Sequence, residues 1–197
     1  MNQEPEPEQT TEHEQDSAQG PQVWVASLAD YAAGRLHGQW IAANQPVEAL
    51  TADVQVMLER SPTPGAEEYA IFDHDGFDGL RIDQHDSLET VAALARGVAE
   101  YGEPFALWAD DVGADYAAEH SEQFEEVYIG HYESETAFAE EMWEESGYQA
   151  ALERAVPEPL RYYVEFDAEA WARDLRLGGD VTYLPASDGG VYVYWNV

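Results

Sequence analysis

The sequence predicts a mixed α+β fold. Three observations carry that reading: β-prone runs lie near both ends, at Val23-Trp24-Val25 and at Val191 to Trp195; apolar residues between them recur at helical spacing; and 45% hydrophobic with 12% aromatic content over 197 residues suffices to bury a core.

Residues 1–20 hold six acids and no branched aliphatic or aromatic residue, which predicts a disordered acidic tail ending at Gly20-Pro21. Order begins at Val23-Trp24-Val25. The turn-rich Asp30-Tyr31-Ala32-Ala33-Gly34 follows, then a second strand run at Trp40-Ile41, so two antiparallel strands are expected. Pro46 suits the first turn of a helix, in which Val47, Leu50, Val54, Met57 and Leu58 form one face until Ser61-Pro62-Thr63-Pro64-Gly65 stops it. Tyr69-Ala70-Ile71-Phe72 reads as a third strand, closing a small α+β unit near Asp86.

Ser87 caps the next helix, with Leu88, Val91, Leu94, Ala95 and Val98 on one face and Gly102-Glu103-Pro104 as its terminator. Short helical pieces broken at Gly113 are expected from Phe105 to Gln123. Ser134 starts a further helix, and Pro157 to Leu177 holds two short ones, the second capped by Asp167. Val181 to Leu184 and Val191 to Trp195 flank Ser187-Asp188-Gly189-Gly190, a strong hairpin pattern.

Charge is the dominant compositional feature. The chain has 41 acids, 8 arginines, no lysine and a formal net charge of −33, whereas about 2–8 charges keep a small domain soluble. Between Arg96 and Arg154 stand sixteen carboxylates and no basic residue, yet Phe105, Trp108, Tyr116, Phe124, Tyr128, Tyr132, Phe138 and Trp143 supply that stretch with core material. A folded body with an anionic surface and a cationic partner is expected. High-salt adaptation also favours acids over lysine, but it does not account for one long region cleared of cations.

On a helical wheel Phe138, Ala139, Met142 and Trp143 share one half, and Glu140, Glu141, Glu144 and Glu145 the other. Like charges at i, i+4 oppose a helix by about 0.2–0.5 kcal/mol per pair, so local stability does not favour this face. Four carboxylates over six helical residues span about 7.5 Å, roughly one per 1.9 Å, close to the one per ~1.7 Å of duplex DNA. At that density the whole net charge corresponds to about 56 Å of duplex, or about 46 Å without the tail. The pattern suggests a DNA mimic, whose carboxylates stand where phosphates would.

Other chemistry finds little support. Cysteine is absent, so disulfides and thiolate metal sites are excluded. The absence of a Lys/Arg patch argues against direct nucleic-acid binding, and the lack of an 18-residue apolar run against a membrane span. Acids rather than cations at the N-terminus argue against a signal peptide, so a cytoplasmic protein is expected. Asp73-His74-Asp75-Gly76-Phe77-Asp78-Gly79 places acids at alternate positions but departs from the calcium-loop template, and a turn is the better reading. The histidines show no ligand spacing, and no nucleophile elbow, P-loop or dinucleotide motif occurs, so neither catalysis nor a metal or cofactor is expected. Tyr162, Tyr163, Tyr192, Tyr194 and Trp195 are read as core and dimer contacts rather than a base-stacking platform.

Three blocks resemble the ArdA-type antirestriction proteins: Val23 to Tyr31 leading into Gly34-Arg35-Leu36-His37-Gly38-Gln39-Trp40-Ile41; Glu67 to Phe77; and Pro157-Glu158-Pro159-Leu160 through Tyr163-Val164-Glu165-Phe166-Asp167 to Leu175. The resemblance implies an elongated, curved acidic homodimer of three small domains. By that analogy they are an N-terminal antiparallel sheet with helix over 21–86, a central helical domain over 87–122 and a C-terminal α+β domain over 123–197, with the two-fold contact near Val156 to Asp167. It also implies binding in the DNA groove of type I restriction–modification enzymes, at their methyltransferase core, so that incoming plasmid or transposon DNA escapes cleavage. The phosphate-mimicking candidates are Asp110, Asp111, Asp115, Glu119, Glu122, Glu125, Glu126, Glu133, Glu135, Glu140, Glu141, Glu144 and Glu145. The rival readings are an acidic chaperone for other basic DNA-binding proteins and a hydrolase with an acidic metal site near Asp73 to Asp78.

Overall fold

The computed structural model of the chain describes residues 20–196, so the acidic tail expected over 1–20 lies outside the described residues apart from Gly20. The fold is α+β, with a three-stranded antiparallel sheet near each end and helices between.

Strand β1 (Gln22–Ser27) leads directly into a short helix α1 (Leu28–Ala32), followed by β2 (Gly38–Ala42), helix α2 (Val47–Glu59) and β3 (Tyr69–Asp75). The sheet order is β2-β1-β3, with Trp24 opposite both Trp40 and Asp73. Alternation along β1 turns Val23 and Val25 into the core, where Leu50, Val54, Met57 and Leu58 of α2 complete the packing. Two local expectations change. The segment read as a turn after β1 begins as helix α1, because the Ser27 hydroxyl accepts from the Asp30 backbone N–H and caps it. Pro46 is the cap of α2 rather than its first residue.

Asp30 is fully buried, and burial alone would push its carboxyl up. Hydrogen bonds from Ser61, Thr63, Ser27 and Arg35 outweigh that and hold it well below the ordinary carboxylate range. Thr63 Oγ1 lies 2.5 Å and Arg35 Nε 3.2 Å from Asp30 Oδ1, while the Ser61 hydroxyl takes the other oxygen. The loop after α2 is thereby tied to α1.

Helix α3 (Leu88–Tyr101) starts at Ser87, whose hydroxyl accepts from the Thr90 N–H, and buries the face that its spacing predicts. It ends at Gly102, whose φ of +68° suits glycine. Glu103 and Pro104 do not extend that terminator but open helix α4 (Glu103–Val112), where proline tolerates the first turn because its missing N–H has no partner there anyway. After Gly113 come α5 (Ala114–Glu119), a 3₁₀ turn (Ser121–Gln123) and α6 (Phe124–Val127). Phe105 stacks close against Gly97 of α3, where any added Cβ would meet its ring. Phe105, Trp108 and Phe124 lie with ring centroids 5.2–5.5 Å apart, making an aromatic hub.

The C-terminal part contains a strand that the sequence reading missed, β4 (Tyr128–Tyr132), followed by α7 (Glu135–Glu145), α8 (Tyr148–Ala155), a 3₁₀ helix (Glu158–Tyr163), α9 (Ala168–Gly178), β5 (Val181–Pro185) and β6 (Val191–Trp195). The hairpin forms as expected, and β4 pairs on its free side to give the order β4-β6-β5. Ser134 and Asp167 cap α7 and α9 through their side chains.

One buried cluster runs from Val23 through α2, α3 and the aromatic hub to Tyr194, and smaller ones join α7 to the sheet through Phe138, Val181 and Val193 and to α9 through Ala139, Ala168 and Ala172. Glu103 fastens the central helices to the hairpin: its carboxylate accepts from the Ser187 N–H (3.1 Å), the Ser187 hydroxyl (3.0 Å) and the Tyr192 hydroxyl (2.9 Å). Next to it the Tyr194 hydroxyl donates to the Pro104 carbonyl at 2.8 Å.

Candidate anionic interface

The candidate acids are carried by successive short elements. Asp110 and Asp111 lie near the end of α4, Asp115 and Glu119 on α5, Glu122 in the 3₁₀ turn, and Glu125 and Glu126 on α6. Glu133 follows β4, and Glu135, Glu140, Glu141, Glu144 and Glu145 lie on α7. In each of these α-helices at least one apolar neighbour turns inward. Trp108 and Ala109 are buried beside exposed Asp110 and Asp111, Ala117 beside Asp115 and Glu119, and Phe124 and Val127 around Glu125 and Glu126.

The α7 wheel matches the burial: Phe138 and Ala139 are buried, Met142 and Trp143 half-buried, and Glu140, Glu141, Glu144 and Glu145 exposed. The helix is continuous through Glu145, so its carboxylates keep the helical rise. Glu135 departs from the rest. It is half-buried and paired with Arg176 of α9 at 2.5 Å, so its charge is matched within the fold. None of the other candidate acids has an ion-pair partner among the described residues.

The carboxylates leave a trace on nearby phenols. The hydrogen bond that Tyr101 donates to Glu125 at 2.9 Å, helped by burial and by Glu100, pushes its phenol up to about 12. Tyr132 is raised by burial, then by Glu141 and Glu145. Deprotonating either phenol would add another anion to an anionic neighbourhood.

Of the aromatics expected in core or dimer contacts, Tyr194 is buried and Tyr192 packs against the core. Trp195 contradicts the core reading: it ends β6 with 41% of its surface exposed. Trp195 pairs with Val181 and shares the face of Val193, opposite that of Tyr194 and Thr182. Tyr162 and Tyr163 are 87% and 79% exposed.

Among the described residues no cluster of three or more His, Asp or Glu side chains is arranged to hold a metal ion. Asp73 and Asp75 are exposed residues of β3, and the turn follows at Gly76 to Gly79. Among the described residues no helix is long and apolar enough to cross a membrane.

These features describe an acidic α+β protein whose exposed carboxylates far exceed the cations that its own fold sets against them. A family profile described as Antirestriction protein (ArdA) matches residues 23–188, and the chain belongs to that family. No curated protein matches it. Membership implies an antirestriction role and interaction with restriction enzymes; the family is not known as a family of enzymes.

Proposed function

We propose that the chain is a DNA mimic that occupies the DNA groove of a type I restriction–modification enzyme, at its methyltransferase core, and so blocks restriction of incoming DNA in the cytoplasm. The observation that carries this reading is the run of carboxylates from Asp110 to Glu145, all of them exposed and without an ion-pair partner among the described residues except the half-buried Glu135. A groove that neutralises many phosphates attracts such a surface at long range, and binding releases counterions. The proposed ridge comprises Asp110, Asp111, Asp115, Glu119, Glu122, Glu125, Glu126, Glu133, Glu140, Glu141, Glu144 and Glu145, with Glu135 at its inner edge.

The active unit in this reading is a homodimer of three-part protomers divided near Asp86 and Glu122. Its contact lies between Val156 and Asp167, where Leu160, Tyr162, Tyr163 and Val164 expose apolar surface that a second copy would cover. Sedimentation of the wild type against Tyr162→Ser/Tyr163→Ser tests this contact: dimer weakening is expected, and an unchanged dimer places it elsewhere.

The decisive experiment displaces a DNA duplex from a type I enzyme at several salt concentrations. Competition should weaken steeply as salt rises, as many charge contacts require. Competition insensitive to salt would refute the mimicry. Equal affinity for an unrelated basic protein would favour the chaperone alternative instead.

A further inference from the structure

A groove of about 410 Å³ lies between the central helices and the C-terminal sheet, within the size range of ligand pockets. At its base Trp108 and Tyr194 are almost wholly buried, Trp108 within the aromatic hub and Tyr194 tied to the Pro104 carbonyl. Tyr116 of α5 lines it while remaining about two-fifths exposed. Tyr116 stacks on His120 with centroids 4.1 Å apart and planes within 15°, which steadies that wall.

The polar lining divides by availability. Asn196 is committed: it donates to the Gly179 carbonyl and accepts from the Thr182 hydroxyl. No side-chain hydrogen bond or ion pair among the described residues engages the Asp111 carboxylate, and no lysine or arginine lines the groove. An exposed phenol beside an available carboxylate matches a guanidinium, which stacks on aromatic faces and bonds carboxylates through a planar fork. A lysine ammonium matches less well, since it is strongly hydrated and lacks a plane to stack. The surrounding negative charge disfavours an anionic guest.

We propose that this groove receives an arginine side chain from the DNA-binding cleft of the restriction enzyme, giving a localised anchor within an otherwise distributed electrostatic contact. The inference rests on the function proposed above. Aromatic walls that exclude water would make Asp111 and Tyr116 count for more than an acid on an open helix face.

The test measures enzyme affinity of full-length Tyr116→Ala, Asp111→Asn and their double variant, with Trp40→Ala and Glu59→Gln as controls for an exposed aromatic and an exposed acid remote from the groove. About tenfold weakening is expected for each groove variant, with the double variant falling short of the product because both contact one guest. The controls should stay within about twofold of wild type, as peripheral contacts do. Tyr116→Phe, which keeps a stacking face, should recover most of the affinity and guards against a folding defect in Tyr116→Ala. Groove variants that bind like the controls, while the wild type still displaces DNA in a salt-dependent way, overturn the anchor and leave the mimicry standing. A wild type that displaces no DNA overturns both.

Discussion

Asp30 and the acids of α7 are the same kind of group put to opposite uses. Asp30 is enclosed between α1 and the loop after α2, where Arg35, Ser61 and Thr63 donate to its carboxylate. Glu140, Glu141, Glu144 and Glu145 point into water with no ion-pair partner among the described residues. A carboxylate surrounded by donors holds the fold together, whereas carboxylates surrounded by one another slightly oppose it and remain available to an outside cation. Glu103 belongs with Asp30, although it lies in the acid-rich stretch, because its oxygens are already taken by Ser187 and Tyr192.

The contrast breaks most directly at Asp30. Replacing it with alanine leaves Arg35, Ser61 and Thr63 around an empty site, and a melting-temperature fall on the order of 10 °C is expected; a change no larger than that for a surface acid would remove the distinction. Its pH dependence has a definite sign. Because the folded carboxyl lies below its unfolded value, the stabilisation is fully present above the unfolded value and disappears as pH falls through the folded one. The stability gap between wild type and Asp30→Asn should therefore be widest at neutral pH and narrow below about pH 4, as measured by denaturant unfolding.

Glu103→Ala comes next, with an expected loss of about 1–3 kcal/mol because the Ser187 and Tyr192 donors lose their acceptor. The unfolding midpoint reads it, and a neutral result would show that the apolar hub alone holds helices and hairpin together. The α7 acids should respond in the opposite direction. Changing Glu140, Glu141, Glu144 and Glu145 together to glutamine removes two like-charged i, i+4 pairs, so stability should rise by about 0.4–1 kcal/mol while affinity for the restriction enzyme falls. Smallest is any one of these glutamates changed alone, which should alter affinity by less than about twofold; loss of binding from one such change would replace a distributed surface with a hot spot on α7.

Much of the local architecture was readable along the chain because its signals act over a few residues. Ser87, Ser134 and Asp167 each cap a helix through an N–H three positions on, and the spacing of Phe138, Ala139, Met142 and Trp143 marks the inner face of α7 without further information. Strand β4 was less visible. Tyr128 to Tyr132 has a glycine at its centre and weak alternation, and it becomes a strand through pairing with β6.

By itself, then, the sequence determined the mixed fold class, most helix limits, the closing hairpin, the excess of acid and the family. Tertiary structure alone decided which acids are spent inside the molecule. Asp30 meets Ser61 and Thr63 more than thirty residues away, Glu103 meets Ser187 across 84 positions, and Tyr194 comes to share a groove with Asp111 and Tyr116. Helical periodicity and capping are short-range and leave their mark on neighbouring residues, but a carboxylate's environment depends on what folding brings beside it from elsewhere in the chain.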